Sequence, residues 1–157
     1  MNPNRRQALR HLQRAVFFAD LAGVAFAEPA QAFSFFRAAV HKPAAQEFGF
    51  GPRESVNHKY TVYLKPMETL RLRKLQTLRV LVLDAAGRPV EDASISVDGG
   101  MPEHGHGLPT QPKVHRSLGG GMYDIEGLRF SMGGWWEVKL SIEARQGADR
   151  VTFNLDL

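Results

Sequence analysis

Two histidines separated by a single glycine are the residues of this sequence best suited to chemistry. They are His104 and His106, with Gly105 between them, and Met101 stands just upstream in the same predicted loop. Glycine permits backbone conformations that let both imidazole rings turn towards one ion. Imidazole suits copper, zinc and nickel, and a thioether selects Cu(I). The pattern is therefore typical of a metal site, and it is also compatible with an ordinary solvated turn.

The two histidines lie in a long predicted loop, residues 99–121. Its 23 residues exceed the length of about 12–15 residues above which loops are usually functional or disordered. Met132 follows the next predicted strand and is a further candidate ligand, although methionines near strand ends are more often core fillers. Spacing alone identifies no third ligand.

Other kinds of chemistry find less support in the sequence. The chain has no cysteine, which excludes disulfides, zinc–thiolate sites and thiol catalysis. Ser117 and Ser131 lack the G-x-S-x-G setting of a hydrolase nucleophile. The glycines at residues 119–121 do not join a strand to a helix, as a phosphate-binding loop requires. We therefore expect a protein that is not an enzyme and has no catalytic residues.

The net charge of +4 does not indicate a nucleic-acid partner, because the excess lies at the N-terminus. Four arginines and no acid occur in the first fourteen residues, whereas 16 Lys and Arg accompany 15 Asp and Glu from Glu28 onward. No basic stripe interleaved with aromatic residues is present in the nearly neutral remainder. We expect no binding of nucleic acid.

The first 27 residues have the three parts of a secretory signal peptide. A basic start is followed by a short apolar run at residues 15–27, which ends in the small-residue pattern Ala25-Phe26-Ala27. Asp20 is unusual within such a run, and an amphipathic helix is the alternative interpretation. A membrane-spanning helix needs about 20 apolar residues. The prediction is a periplasmic or otherwise exported protein with no stable membrane span once the signal is removed.

The remaining chain divides into a predicted linker, residues 28–56, and an all-β domain, residues 57–157. Short segments of β-type composition, separated by Gly and Pro turns, occur at residues 60–64, 67–73, 77–83, 94–98, 122–125, 135–142 and 151–157. This spacing favours an immunoglobulin-like β-sandwich of about seven short strands. A small closed barrel is the alternative.

Three segments of the domain, in their order along the chain, resemble the YtkA-like or FixH-like family of bacterial envelope proteins. Some members of this family are labelled auxin-binding proteins. The segments are MPEHGHGLPTQP at residues 101–112, GMYDIEGLRFSM at 121–132 and GWWE at 134–137. The resemblance implies a periplasmic β-sandwich. FixH-like members are linked to copper delivery for haem–copper oxidase assembly. The resemblance therefore implies a copper ion held by His104 and His106, with Met101 and Met132 as soft ligands.

Two functions follow as expectations. The first is a non-catalytic periplasmic module that binds copper or delivers it to an envelope protein partner. The second is an accessory module that binds a protein or a small ligand and holds no metal. In the second case the histidines hydrogen-bond within their loop, and Trp135 or Trp136 is an exposed contact residue. The arrangement of the rings in the folded chain bears on both.

Overall fold

The structure is a computed structural model, and it describes residues 40–157. This part contains one 3₁₀ turn, Ala45–Glu47, and nine β-strands: β1 Arg53–Glu54, β2 Tyr60–Pro66, β3 Leu75–Asp84, β4 Ser94–Met101, β5 His106–Gly107, β6 Lys113–Gly119, β7 Met122–Arg129, β8 Trp135–Glu143 and β9 Asp149–Asp156. Within residues 40–157 no helix has the length and apolar character needed to cross a membrane. The predicted signal segment, residues 1–27, lies outside the described residues.

The strands form two antiparallel sheets that face each other. The first sheet has the order β1-β2-β3-β7-β6, and the second has the order β5-β4-β8-β9. One continuous apolar cluster, to which both sheets contribute, fills the space between them. The all-β sandwich predicted from the strand spacing is therefore confirmed.

The core exists because the long strands alternate apolar and polar residues, and successive side chains of a strand point to opposite faces. In β3 and β8 every second residue is buried, while most of those between are partly or fully exposed. The inward apolar side chains of these two strands are Leu78, Val80, Val82, Trp136, Val138, Leu140 and Ile142. Full burial of one such side chain stabilises a fold by about 1.5–3 kcal/mol.

Two details of the strand prediction are wrong. Residues 67–73, predicted as a strand, form a loop in which Arg73 has a φ of +64°, a left-handed conformation that is uncommon for a residue other than glycine. The predicted loop at residues 99–121 contains the short β5 and the whole of β6. The pairing of β6 with β7 has two register shifts, so the apolar residues of β6 do not follow a regular alternation.

The sandwich begins upstream of residue 57, the predicted start of the domain. The backbone N–H of Gly49 donates to the Asn154 carbonyl at 2.8 Å, and that of Val56 donates to the Arg150 carbonyl at 2.9 Å. Phe50 packs against the apolar core. This stretch of the predicted linker therefore covers the outer edge of β9, where unpaired backbone groups would otherwise face solvent.

The carboxylate of Asp149 binds this upstream stretch to the start of β9. It accepts hydrogen bonds from Ser55 Oγ at 2.6 Å, from Asn57 N at 3.0 Å and Nδ2 at 2.9 Å, and from Arg150 N at 2.8 Å. Desolvation by burial acts to raise the pKa of Asp149, but these hydrogen bonds outweigh it and hold the pKa well below its usual range.

We expect Asp149→Asn to lower the free energy of unfolding by about 2–4 kcal/mol, because the buried Ser55 hydroxyl and the partly buried donors of Asn57 and Arg150 lose a charged acceptor. The pKa of Asp149 is lower in the folded chain than in the unfolded chain, where it is about 3.9. The ionised group therefore stabilises the fold above that value, and its contribution is lost as the pH falls towards the folded pKa. Urea unfolding at pH 7 and at about pH 2.5 measures both effects.

Asp98→Asn is the control for this experiment, because Asp98 is exposed on β4. Its substitution should change the free energy of unfolding by less than about 0.5 kcal/mol. If the gap between wild type and Asp149→Asn stays the same at both pH values, the assignment of the stabilisation to the ionised carboxylate is wrong.

Candidate metal site

Met101, His104 and His106 lie at one end of the sandwich, where β4 turns back into β5. The backbone N–H groups of His104 and Gly105 both donate to the Met101 carbonyl, at 3.1 and 2.9 Å. Gly105 has a φ of +67°, which glycine adopts without the steric penalty of other residues. Met101 and His106 face each other directly in the β4–β5 pair. Their side chains therefore leave the ribbon on the same side.

The two imidazole rings lie side by side in this turn. Their centroids are 5.6 Å apart, with the planes inclined at 61°. Both histidines are exposed. Neither imidazole has a hydrogen-bond partner among the described residues.

Trp136 forms the floor of the site. Its ring centroid lies 6.5 Å from that of His106, and the indole is completely buried. Its Nε1 donates to the Met132 carbonyl at 3.0 Å, and its ring packs edge-on against Phe130 at 5.3 Å. Trp136 therefore connects the histidine loop to the segment that carries Met132.

The two candidate methionine ligands differ in their surroundings. Met101 is 1% exposed and belongs to the core, with its terminal methyl against the backbone of Gly134. Met132 is 39% exposed, between β7 and β8. The fold thus brings His104, His106 and Met101 into one turn. Met132 reaches the same end through the hydrogen bond of its carbonyl to Trp136.

Carboxylates do not complete the site. In the described part of the chain, no three side chains drawn from His, Asp and Glu lie close enough to hold a metal ion together.

Both tryptophans are buried, so the expectation of an exposed tryptophan contact is wrong. Trp136 points inwards from β8, and Trp135 points to the opposite face of the same sheet with only 2% exposure. There its Nε1 donates to Asn154 Oδ1 at 3.0 Å, and Phe48 packs edge-on against its ring at 6.4 Å. The covering residue comes from the predicted linker, far away in the sequence, and no local pattern indicates that contact.

Comparison with known proteins bears on the family of this domain. The model of the YtkA-like family matches residues 55–141, which is more than half of the chain. The chain belongs to the YtkA-like family. The matched residues include β2 to β7 and most of β8, so the histidine turn and Met132 both lie within the YtkA-like region.

Among solved structures, the chain is similar to the ZirS C-terminal domain. The two share 10% sequence identity and a TM-score of 0.36, over 93% of this chain and 88% of the other. The curated proteins contain no significant match to the sequence. The assignment to the YtkA-like family therefore depends on the family match.

Gly100 determines how closely β4 and β5 approach beneath the histidines. A Cβ atom at this position would lie 2.3 Å from the His106 carbonyl oxygen. We expect Gly100→Ala to push β5 away from β4, to move His106 off Trp136 and to lower the free energy of unfolding by about 1–3 kcal/mol. Thermal unfolding and tryptophan emission measure these changes.

Gly107→Ala on the facing strand is the matched control. Its Cβ would meet only the Gly99 carbonyl oxygen, at an ordinary contact distance of 3.5 Å. We expect this variant to keep the stability and emission of the wild type more nearly than Gly100→Ala does. Equal effects of the two alanines would contradict a specific role for the close approach at Gly100.

Proposed function

We propose that this YtkA-like domain is a non-catalytic copper-handling module. It binds copper in the periplasm and delivers it to an envelope protein partner of the oxidase-assembly type. The observation that carries the proposal is the pair of exposed imidazoles, 5.6 Å apart and without hydrogen-bond partners in residues 40–157. Histidine is the commonest protein ligand for metals of this kind.

The donor set favours copper in its reduced state. His104 and His106 supply two nitrogen donors, and Met101 or Met132 supplies a thioether. Thioethers prefer Cu(I), whereas ions such as magnesium prefer carboxylate and carbonyl oxygen. The chain has no cysteine that would compete for the ion.

The position of the turn suits transfer of the ion to another protein. The histidines are exposed at one end of the sandwich, while Met101 and Trp136 behind them are buried. A rigid scaffold that holds exposed ligands on a loop is the usual arrangement of a binding site. A partner can therefore reach the ion without unfolding the domain. The signal-like N-terminus and the resemblance to FixH-like proteins favour the periplasm as the compartment.

A metal-free interaction module is the weaker alternative. It requires the imidazoles to hold the turn by hydrogen bonds, but backbone groups of residues 101–105 do this instead. It also invokes an exposed tryptophan, and both Trp135 and Trp136 are buried. The geometry therefore favours the copper proposal.

Removal of both histidines should abolish specific copper binding. We expect the full chain to bind one Cu(I) in anaerobic competition with a chromogenic chelator, and His104→Ala/His106→Ala to bind it about 100-fold more weakly or worse. Binding should also quench the emission of Trp136, because its ring lies 6.5 Å from that of His106.

The matched control is His41→Ala/His58→Ala, which removes two exposed histidines elsewhere and should bind copper like the wild type. Equally weak binding by the wild type and the first variant would refute the proposal.

The contribution of sulfur can be separated from that of nitrogen. Met101→Leu/Met132→Leu keeps side-chain volume nearly constant and should lower Cu(I) affinity about tenfold or more, with little change for Cu(II). Met67→Leu/Met122→Leu removes two thioethers that are exposed elsewhere and should leave both affinities unchanged. If the two double variants bind Cu(I) equally, the thioethers of Met101 and Met132 are not ligands.

A further inference from the structure

The loop between β2 and β3 exposes apolar side chains beside cations. We name residues 67–75 the basic turn. Its exposed apolar side chains are Met67 at 45%, Leu72 at 43% and Leu75 at 69% exposure. Its cations, Arg71, Arg73 and Lys74, are also exposed. Isolated exposed apolar residues are ordinary, whereas here three lie within nine residues of one loop.

Hydrogen bonds hold the basic turn in one shape. Arg71 N donates to Gln76 Oε1 at 2.8 Å, and Gln76 Nε2 donates back to the Arg71 carbonyl at 3.0 Å. Arg73 N donates to the Phe130 carbonyl at 2.6 Å, and Arg73 Nε donates to the Ser131 carbonyl at 3.3 Å. Leu72 is therefore kept at the tip of a fixed turn and does not fold back onto the domain.

The charge around this tip is positive. Arg129 is exposed directly opposite Leu75 in the β3–β7 pair and adds a fourth cation, whereas Glu68 is the acid of the turn. None of the four cations forms an ion pair with another described residue. Behind the turn, a groove of about 890 Å³ along the first sheet is lined by one further cation, Lys113, and by the acid Glu126. The patch is thus cationic, although the chain from Glu28 onward is nearly neutral.

We propose that the basic turn docks the domain on an anionic membrane surface. Leu72 and Leu75 enter the headgroup layer, and the surrounding cations lie against lipid phosphates. An interface of this kind accepts apolar side chains and attracts Lys and Arg at the same time. A protein partner would need a cavity shaped to the projecting tip, whereas a headgroup layer deforms around it. Docking of the basic turn on a membrane does not require that the domain bind copper.

Docking through the basic turn would also orient the candidate metal site. Arg73 is hydrogen-bonded to Phe130 and Ser131, next to Met132, and the Met132 carbonyl is hydrogen-bonded to Trp136. The start of β3, the end of β7 and the end of β4 therefore lie at the same end of the sandwich. The histidine turn would be held beside the membrane, facing proteins that are embedded in it.

The test uses a tryptophan reporter in the full chain, Leu72→Trp, with vesicles of phosphatidylcholine alone or mixed with phosphatidylglycerol. Bromine-labelled lipids quench a tryptophan that enters the headgroup region. We expect strong quenching in the anionic vesicles and little in the neutral ones. Trp135 and Trp136 are buried and give a constant background. Because the reporter lies in the turn itself, its quenching measures entry of the turn into the headgroup region and not membrane contact of residues 1–39.

Two controls give the test its specificity. Val56→Trp places the reporter at another apolar site, 71% exposed at the opposite end of the sandwich, and should not be quenched. In the Leu72→Trp background, Arg71→Gln/Lys74→Gln should weaken binding to anionic vesicles about 25-fold, at about fivefold for each cation. Arg53→Gln/Arg150→Gln makes the same change in net charge elsewhere and should alter binding less than about twofold.

Three outcomes would overturn the proposal. They are no quenching at position 72, equal quenching at positions 56 and 72, and quenching that does not depend on anionic lipid. If vesicles leave position 72 unquenched while polyglutamate shields it from iodide, the turn recognises acidic protein and not lipid.

Discussion

The burial of the Trp136 indole between the sheets is the constraint on which the candidate site depends. A buried indole N–H needs a hydrogen-bond acceptor, and the Met132 carbonyl supplies it at 3.0 Å. The same ring lies beneath His106 and against the edge of Phe130. The Trp136 side chain therefore contacts the histidine turn, the segment between β7 and β8, and the core.

The two ends of the sandwich have different roles. At one end, Asp149 holds residues 55–59 to the start of β9 through a network of hydrogen bonds. These hydrogen bonds stabilise the fold. At the other end, the histidine turn and the basic turn leave imidazole, apolar and cationic side chains exposed. Here the imidazoles of His104 and His106 and the charged groups of Arg71, Lys74 and Arg129 have no hydrogen-bond or ion-pair partner among the described residues. Such groups are available for an ion or a surface because the core behind them needs no contribution from them.

The alternation of apolar and polar residues predicted correctly those strands that pack one face on the core. β3, β8 and β9 follow a period of two and were recognised from it, because alternation is the direct consequence of one buried face. It failed at β6, whose register shifts against β7 interrupt the alternation. The pattern also failed at residues 67–73, whose composition predicted a strand. There the left-handed backbone of Arg73 and its bonds to Phe130 and Ser131 make a turn.

By itself, the sequence determined the all-β class, the YtkA-like family and the identity of the candidate ligands, since these depend on residue type and short spacing. Only the tertiary structure decided that the imidazoles lie 5.6 Å apart, that Met101 is buried and that Met132 is exposed. It also decided that both tryptophans are covered and that the basic turn shares an end with the histidines. These facts depend on contacts between residues that are distant in the chain, such as that of Phe48 with Trp135. No local pattern contains them, because the free energy that selects them arises only when distant segments of the chain pack together.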